Sequence, residues 1–145
     1  MKKEEIINDP KYIKLKDFIA HSNITCYKHC IEVAENSYRF AKKYKIKVNY
    51  DDLMLGALLH DYYLYDWHNS DISWHGFKHH KIACNNAIRD FDINKKVQKI
   101  IYCHMFPLTI WTIPTSKEAI IVSLMDKKVA TKETLYKYYK SKKLD

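Results

Sequence analysis

Apolar residues recur through most of the chain at the three- and four-residue intervals of amphipathic helices. The longest such pattern predicts a helix over about residues 24–45, preceded by the capping residues of HSNIT. Further helices are predicted at about residues 52–61, 78–89, 95–105 and 116–130, with shorter ones before Pro10, over 11–20 and from Lys132. Because the 145 residues include only two glycines and three prolines, the pattern favours an all-α bundle over a many-stranded sheet.

The buried face of the 24–45 helix is predicted from the residues that share one side of it at ~100° per residue. Those residues are Tyr27, Cys30, Ile31, Ala34, Tyr38 and Ala41. His29 falls at the margin of this face. The 52–61 helix is apolar around its whole circumference, which predicts a central position in the fold.

Ionisable side chains interrupt the apolar surface of several helices. The apolar run Leu53–Leu59 leads directly into His60 and Asp61. Two other helices contribute Asp126, which ends the run AIIVSLMD, and His104, which occupies an inward position. A buried carboxylate without a partner is costly, and no lysine or arginine lies on the predicted inward faces. A bound metal ion would satisfy these groups together, since imidazole and carboxylate suit iron, manganese, zinc and cobalt.

The adjacent pair His60–Asp61 is predicted to lie where its helix ends. Consecutive helical residues diverge by ~100°, so both side chains reach one site only where the backbone leaves the helix. Asp61 has two carboxylate oxygens and could bridge two metal ions while His60 holds one.

Each of these residues also has an ordinary structural interpretation. An isolated inward histidine such as His104 is more often a hydrogen-bonded core residue than a ligand, and Asp126 alone could cap a neighbouring helix. The combined set is harder to explain without a metal, because several histidines and two aspartates lack other obvious partners.

The order of His29, the pair His60–Asp61 and then Asp126 resembles the HD superfamily of metal-dependent phosphohydrolases. The similarity extends over about residues 21–133, and the two letters HD alone would be a weak match. More specific are the surrounding segments YKHCIEVAENSYRFAKKY, ALLHDYYLYDWH, HGFKHHKIACNNA, YCHMFPLT and SLMDKKVA. Together they are similar to a group of small, stand-alone bacterial HD-domain proteins.

The resemblance implies a single HD domain with an all-α core of about five helices, in which His29, His60, Asp61 and Asp126 hold a divalent metal. Members with two metals carry two further histidines, and His104 matches one of them. The segment HHKIA resembles the pattern around the other and selects His79, with His80 as a competitor because it replaces the usual proline. Six candidate ligands favour two ions, drawn from iron, manganese, zinc, cobalt, nickel or magnesium.

The function implied by the resemblance is hydrolysis of a small phosphorylated substrate, such as a nucleotide, by a metal-bound hydroxide. Asp61 and His60 are the expected catalytic residues, and Lys127 or Lys128 could neutralise a substrate phosphate or be a solvated surface lysine. Two alternatives remain open, namely a mixed-valence di-iron oxygenase and a non-catalytic module that binds nucleotides or nucleic acid. The aromatic segment 62–77 could stack on a nucleobase, although packing onto the helices is favoured.

The charge and composition of the chain limit which classes of function and which cellular locations are expected. The net charge of +8 is compatible with nucleic-acid binding, but Arg39 and Arg89 are the only arginines, so a solvated lysine surface is favoured. The N-terminus has no apolar core of a signal peptide and no run approaches a membrane span, so a cytoplasmic protein is expected. The four cysteines are then predicted to be buried free thiols rather than zinc ligands.

Overall fold

The computed structural model describes residues 3–69 and 74–142. Within them nearly all of the regular secondary structure is helical, as predicted. The helices are α1 (Lys3–Ile7), α2 (Pro10–Ile13), α3 (Cys26–Lys43), α4 (Tyr50–Leu59), α5 (His75–Asp90), α6 (Lys95–Cys103) and α7 (Lys117–Lys142). A 3-10 turn, Lys14–Asp17, leads into a two-stranded antiparallel hairpin formed by β1 (Ile19–His21) and β2 (Ile24–Thr25).

Three polar caps start the helices where the sequence predicts them. Thr25, Asn49 and Asn94 precede α3, α4 and α6, and each side-chain oxygen accepts the backbone N–H three residues later. Such caps satisfy one of the unpaired amides at a helix start and stabilise it by about 1 kcal/mol. The caps therefore fix where the helices carrying the candidate ligands begin.

Two of the sequence predictions are wrong in detail. The helix expected over residues 11–20 ends early, because the chain extends from Phe18 into the hairpin, whose turn residue Ser22 has a φ of 57°. The helices expected at 116–130 and from Lys132 form one continuous helix, α7. The part of α7 that follows Lys132 is largely exposed. Its residues therefore carry no apolar pattern from which the continuation of the helix could be predicted.

The buried face of α3 is also rotated from its predicted position. Tyr38 is 41 % exposed, whereas His29, expected at the margin, is completely buried. The residues buried on α3 are Cys26, His29, Cys30, Val33, Ala34, Ser37 and Ala41. Helix α3 thus turns His29 toward the centre of the bundle. Tyr38, which was expected to be buried, packs against Tyr50 at the edge of the bundle instead.

Helix α4 occupies the centre of the bundle and packs against α3, α6 and α7. Its closest approach to α6 is at Gly56, where an added Cβ would lie 2.5 Å from Cγ2 of Ile100. One helical turn after each of these residues come His60 on the α4 side and His104 on the α6 side. The absence of a side chain at position 56 therefore sets the distance between two candidate ligands.

All four cysteines are free and buried, which confirms that part of the sequence prediction. Cys26 and Cys30 lie on α3 with no exposed surface, and the Sγ of Cys26 is 3.0 Å from the hydroxyl of Tyr63. Across the described ranges, no helix is long and apolar enough to cross a membrane.

Candidate metal centre

Six ionisable side chains from five helices converge on one end of the bundle. Each is positioned by a helix or by the residues just beyond its end, and none is more than 7 % exposed. They are His29 on α3, His60 and Asp61 just after α4, His79 on α5, His104 just after α6 and Asp126 on α7. The α4 helix ends at Leu59, so the His60–Asp61 pair lies at a helix end as predicted.

Four of these residues form what we term the first cluster, namely His29, His60, Asp126 and one oxygen of Asp61. His29 Nε2 lies 3.1 Å from Asp126 Oδ1 and 3.7 Å from Asp61 Oδ2. His60 Nε2 lies 3.5 Å from both of those oxygens. Two imidazole nitrogens and two carboxylate oxygens thus surround one small volume.

The second cluster is built around the other oxygen of Asp61. His79 Nε2 lies 3.2 Å and His104 Nε2 lies 3.4 Å from Asp61 Oδ1. The two Nε2 atoms are themselves 3.0 Å apart. Asp61 therefore divides its two oxygens between the two clusters.

The opposite nitrogen of each ring is already engaged by the protein. The Nδ1 atoms of His60, His79 and His104 lie 2.7, 3.0 and 2.6 Å from the backbone carbonyls of Ala57, His75 and Ile101. Since a carbonyl only accepts hydrogen bonds, each Nδ1 carries the proton and donates it. In the neutral rings, Nε2 is then a lone pair that faces the clusters.

This arrangement of lone pairs fits bound cations. The Nε2 atoms of His79 and His104 are 3.0 Å apart, so their lone pairs would repel each other unless a positive charge lies between them. The same holds for each Nε2 lone pair that faces a carboxylate oxygen. Among the described residues, His60 Nε2 and Asp61 Oδ1 have no hydrogen-bond partner although both are buried. Imidazole nitrogen and carboxylate oxygen together are a suitable donor set for a first-row divalent metal.

The electrostatic field of the site favours positive charge. Burial raises the pKa of Asp61, but His60, His104 and His79 outweigh it and hold the carboxyl well below its usual range. Burial lowers the pKa of His29, but its hydrogen bonds to Asp126 and Glu133 outweigh it and raise that pKa to about 10. The carboxylates are therefore ionised at neutral pH, and a metal ion would compete with protons for the histidines.

The structure separates the two neighbouring histidines of α5. His79 points into the second cluster, whereas the ring of His80 lies edge-on to Tyr102, 5.0 Å away, on another face of the helix. Burial lowers the pKa of His80 to about 4, with a smaller contribution from His104 and His79 nearby. Of the two competing candidates, His79 is the one brought together with Asp61.

Lys127 lies beside the second cluster, and its ammonium group points toward backbone and side-chain oxygens of the protein. Its Nζ donates to the backbone carbonyl of His104 at 2.8 Å and to Oγ and the carbonyl of Ser123 at 3.0 and 3.2 Å. These bonds join α7 to the residues that follow α6, next to the second cluster. Burial lowers the pKa of Lys127, and Lys128 is exposed.

Two residues near the site were missed by the sequence reasoning. Glu133 Oε2 accepts a hydrogen bond from His29 Nδ1 at 3.0 Å and is itself buried. A detectable signal existed, because Glu133 follows Asp126 by two helical turns and so shares its face of α7. His21 packs edge-on against His29 with ring centroids 5.2 Å apart, and it lies in the hairpin that periodicity did not predict.

A cavity of about 820 Å³ opens over the two clusters. Asp61, His79 and Asp126 contribute to its lining, and Lys127, His21 and His75 lie beside them. The rest of the wall is small, apolar or aromatic, and consists of Ala20, Tyr63, Trp67, Gly76, Met105, Pro107, Leu108 and Ala130. Of the aromatic segment 62–77, Tyr62 and Tyr63 are buried in the core, whereas Trp74 is 72 % exposed.

Glu133 provides a test of the first cluster. A carboxylate behind a ligating histidine orients the ring and increases its basicity, so Glu133→Gln is expected to weaken metal binding about tenfold. The measurement is metal competition against a chromophoric chelator. The control is Glu118→Gln, a buried glutamate of the same helix that bonds to Lys96 and the Asn49 amide away from the site. Equal affinity losses in both variants would contradict the assignment.

Comparison with known proteins adds one match. A sequence model of the HD domain matches residues 26–131, which contain all six converging residues. No curated protein and no solved structure matches the chain.

Proposed function

Because the chain belongs to the HD domain family, we propose that it is a metal-dependent phosphohydrolase that cleaves a small phosphate ester. The observation that carries the proposal is the pair of buried clusters that share Asp61, one oxygen in each. A carboxylate placed between two groups of imidazole nitrogens is suited to hold two divalent ions side by side. We further propose that residues 1–145 form one domain built around this site.

The proposed ligands follow from the two clusters. His29, His60, Asp126 and Oδ2 of Asp61 would hold one ion, and His79, His104 and Oδ1 of Asp61 would hold the other. When bound, divalent ions make a water molecule acidic enough to act as a nucleophile near neutral pH and offset negative charge on a phosphoryl group. The candidate metals are iron, manganese, zinc, cobalt, nickel and magnesium, and elemental analysis of the purified protein distinguishes them.

The chain's own residues prepare the site for this chemistry. The backbone carbonyls behind His60, His79 and His104 fix the ring orientation and keep the proton on Nδ1, so that Nε2 is free to bind. Glu133 does the same for His29. The apolar walls lower the local dielectric, which strengthens the electrostatic interactions of a bound phosphate. We propose that Lys127 positions His104 through its carbonyl and adds positive charge to one wall.

The proposal is tested by metal analysis followed by activity assays. The purified protein is expected to contain about two divalent metal ions per chain. After removal of the metal, reloading with each candidate ion separately should restore phosphate release from an aryl phosphate, while an oxygen electrode records oxygen uptake. Oxygen uptake without phosphate release would instead support the di-iron oxygenase, which uses similar ligands. Metal binding with neither activity would support a non-catalytic module.

A further inference from the structure

The lining of the cavity over the two clusters contains few charged side chains. Asp61 and Asp126 lie at its base with the histidines, and Lys127 is the one lysine or arginine among the described residues that line it. All three protons of the Lys127 ammonium are already donated to His104 and Ser123.

This charge distribution limits how many phosphate groups the cavity can accept. One phosphate can be neutralised at the metal centre proposed above. A second or third phosphate would lie against the walls, where Lys127 would have to give up hydrogen bonds to the protein to pair with it. Burial of a phosphate charge without a partner is unfavourable, so pyrophosphates and nucleoside triphosphates fit this cavity poorly.

The remaining wall is suited to an apolar group. Trp67 stacks on His75 with ring centroids 4.9 Å apart and an interplanar angle of 13°, and the His75 Nδ1 is occupied by the hydroxyl of Tyr65. Met105 and Leu108 line the same cavity and present only aliphatic and thioether surface. Beyond the clusters, His21 and the Nε2 of His75 are the ring nitrogens in this lining that could bond the edges of a nucleobase or the hydroxyls of a sugar. A volume of about 820 Å³ is nevertheless far larger than a phosphate requires.

The apolar surface continues beyond the mouth of the cavity. Leu108 is 46 % exposed, and its side chain lies against Gly76, where an added Cβ would be 3.3 Å from Cδ2. Next to Gly76, Phe77 stacks on Trp111 with ring centroids 6.3 Å apart, and Trp111 is 62 % exposed. A long apolar group that leaves the cavity could therefore contact the exposed side chains of Leu108, Phe77 and Trp111, with Lys78 and Lys81 beside them.

We propose that the substrate is a phosphate monoester of a bulky apolar alcohol, either an arylmethyl phosphate or a long-chain alkyl phosphate. This inference rests on the proposed hydrolase function and specifies its substrate class. The phosphate lies at the two clusters, and the organic group lies between Trp67 and Leu108.

The first experiment compares hydrolysis of matched esters by the metal-loaded enzyme. The series is 2-naphthylmethyl phosphate, decyl phosphate, glycerol phosphate, deoxyadenosine monophosphate and ATP, in which all the monoesters are esters of aliphatic alcohols. The kcat/KM for naphthylmethyl or decyl phosphate is expected to exceed those of the last three by about 10- to 100-fold. Preference for the naphthylmethyl ester would identify a planar group, and preference for the decyl ester would identify an acyl-like chain. Faster hydrolysis of the nucleotide, of ATP or of glycerol phosphate would overturn the inference.

The second experiment measures binding without turnover. Calorimetry compares naphthylmethylphosphonate and decylphosphonate with methylphosphonate, none of which releases phosphate on hydrolysis. Tighter binding of either large phosphonate supports an apolar organic group in the cavity, whether or not any ester is hydrolysed. Absence of hydrolysis would refute only the hydrolase proposal. Equal affinity for all three phosphonates would overturn the inference even if the enzyme hydrolyses phosphate esters.

Two variants of one loop provide matched controls. Leu108→Lys places a cation in the apolar wall and is expected to weaken binding of the large phosphonates about tenfold. Ile110→Lys introduces the same charge two residues later, where Ile110 is 69 % exposed and does not line the cavity, and should leave affinity and turnover unchanged. Equal effects of both substitutions would argue against contact between Leu108 and the substrate.

Discussion

Replacing Asp61 with asparagine is expected to lower kcat/KM by more than about 10³-fold and to remove most of the bound metal. Among residues 3–69 and 74–142, Asp61 is the one side chain whose two oxygens face both clusters, Oδ2 toward His29 and His60 and Oδ1 toward His79 and His104. Asparagine keeps the shape but removes the negative charge and replaces one oxygen by an N–H donor, which repels a cation. Elemental analysis and a phosphate-release assay on the same preparation measure both losses.

The matched control is Asp52→Asn, which changes another buried carboxylate of α4. Asp52 Oδ1 accepts a hydrogen bond from Asn94 away from the clusters. This variant is expected to retain its metal and its turnover, since it alters only the hydrogen bond to Asn94 and the pairing with Lys96. If Asp61→Asn kept full metal content and activity, the site would not be the catalyst.

The second large effect is expected from Gly56→Ala, which should reduce the free energy of unfolding by about 3 kcal/mol. The new Cβ would lie 2.5 Å from Cγ2 and 2.9 Å from Cβ of Ile100, and the Cβ of Ile100 cannot move without its helix. Alanine gains about 1 kcal/mol over glycine in helix propensity, so overpacking is expected to outweigh that gain. Denaturant unfolding monitored by circular dichroism gives the value.

Gly76→Ala is the corresponding control in another helix. Its new Cβ would meet only the end of the Leu108 side chain, at 3.3 Å, and that side chain is 46 % exposed. Little loss of stability is expected there. Gly56→Ala should in addition weaken metal binding, because moving α4 from α6 separates His60 from His104, whose ring centroids are 4.9 Å apart. A stable Gly56→Ala protein with unchanged metal affinity would contradict this packing argument.

The helices and most of the converging residues could be predicted from the sequence. Apolar periodicity locates an α-helix whenever one face is buried, and the caps Thr25, Asn49 and Asn94 mark the starts. Asp126 and the His60–Asp61 pair were detectable because each ends an apolar run, where a charged residue requires a partner. The resemblance to HD proteins supplied the rest of the candidate ligand set.

Other features depend on tertiary packing that a one-dimensional pattern does not contain. His79 and His80 are adjacent, so which of them faces Asp61 depends on the rotation of α5 about its own axis. The rotation of α3, which buries His29 and exposes Tyr38, has the same origin. The short β1–β2 hairpin lacks a long alternating pattern, and it is the hairpin that places His21 beside the site.

The converging residues also have a consequence for the order of events during protein synthesis. They extend from His29 near the N-terminus to Asp126 and Glu133 in the last helix, with each intervening helix contributing at least one. A nascent chain that still has α7 inside the ribosome lacks Asp126, which completes the first cluster, and Glu133, which bonds to His29. A metal ion that needs the complete first cluster would therefore bind only after α7 has been synthesised.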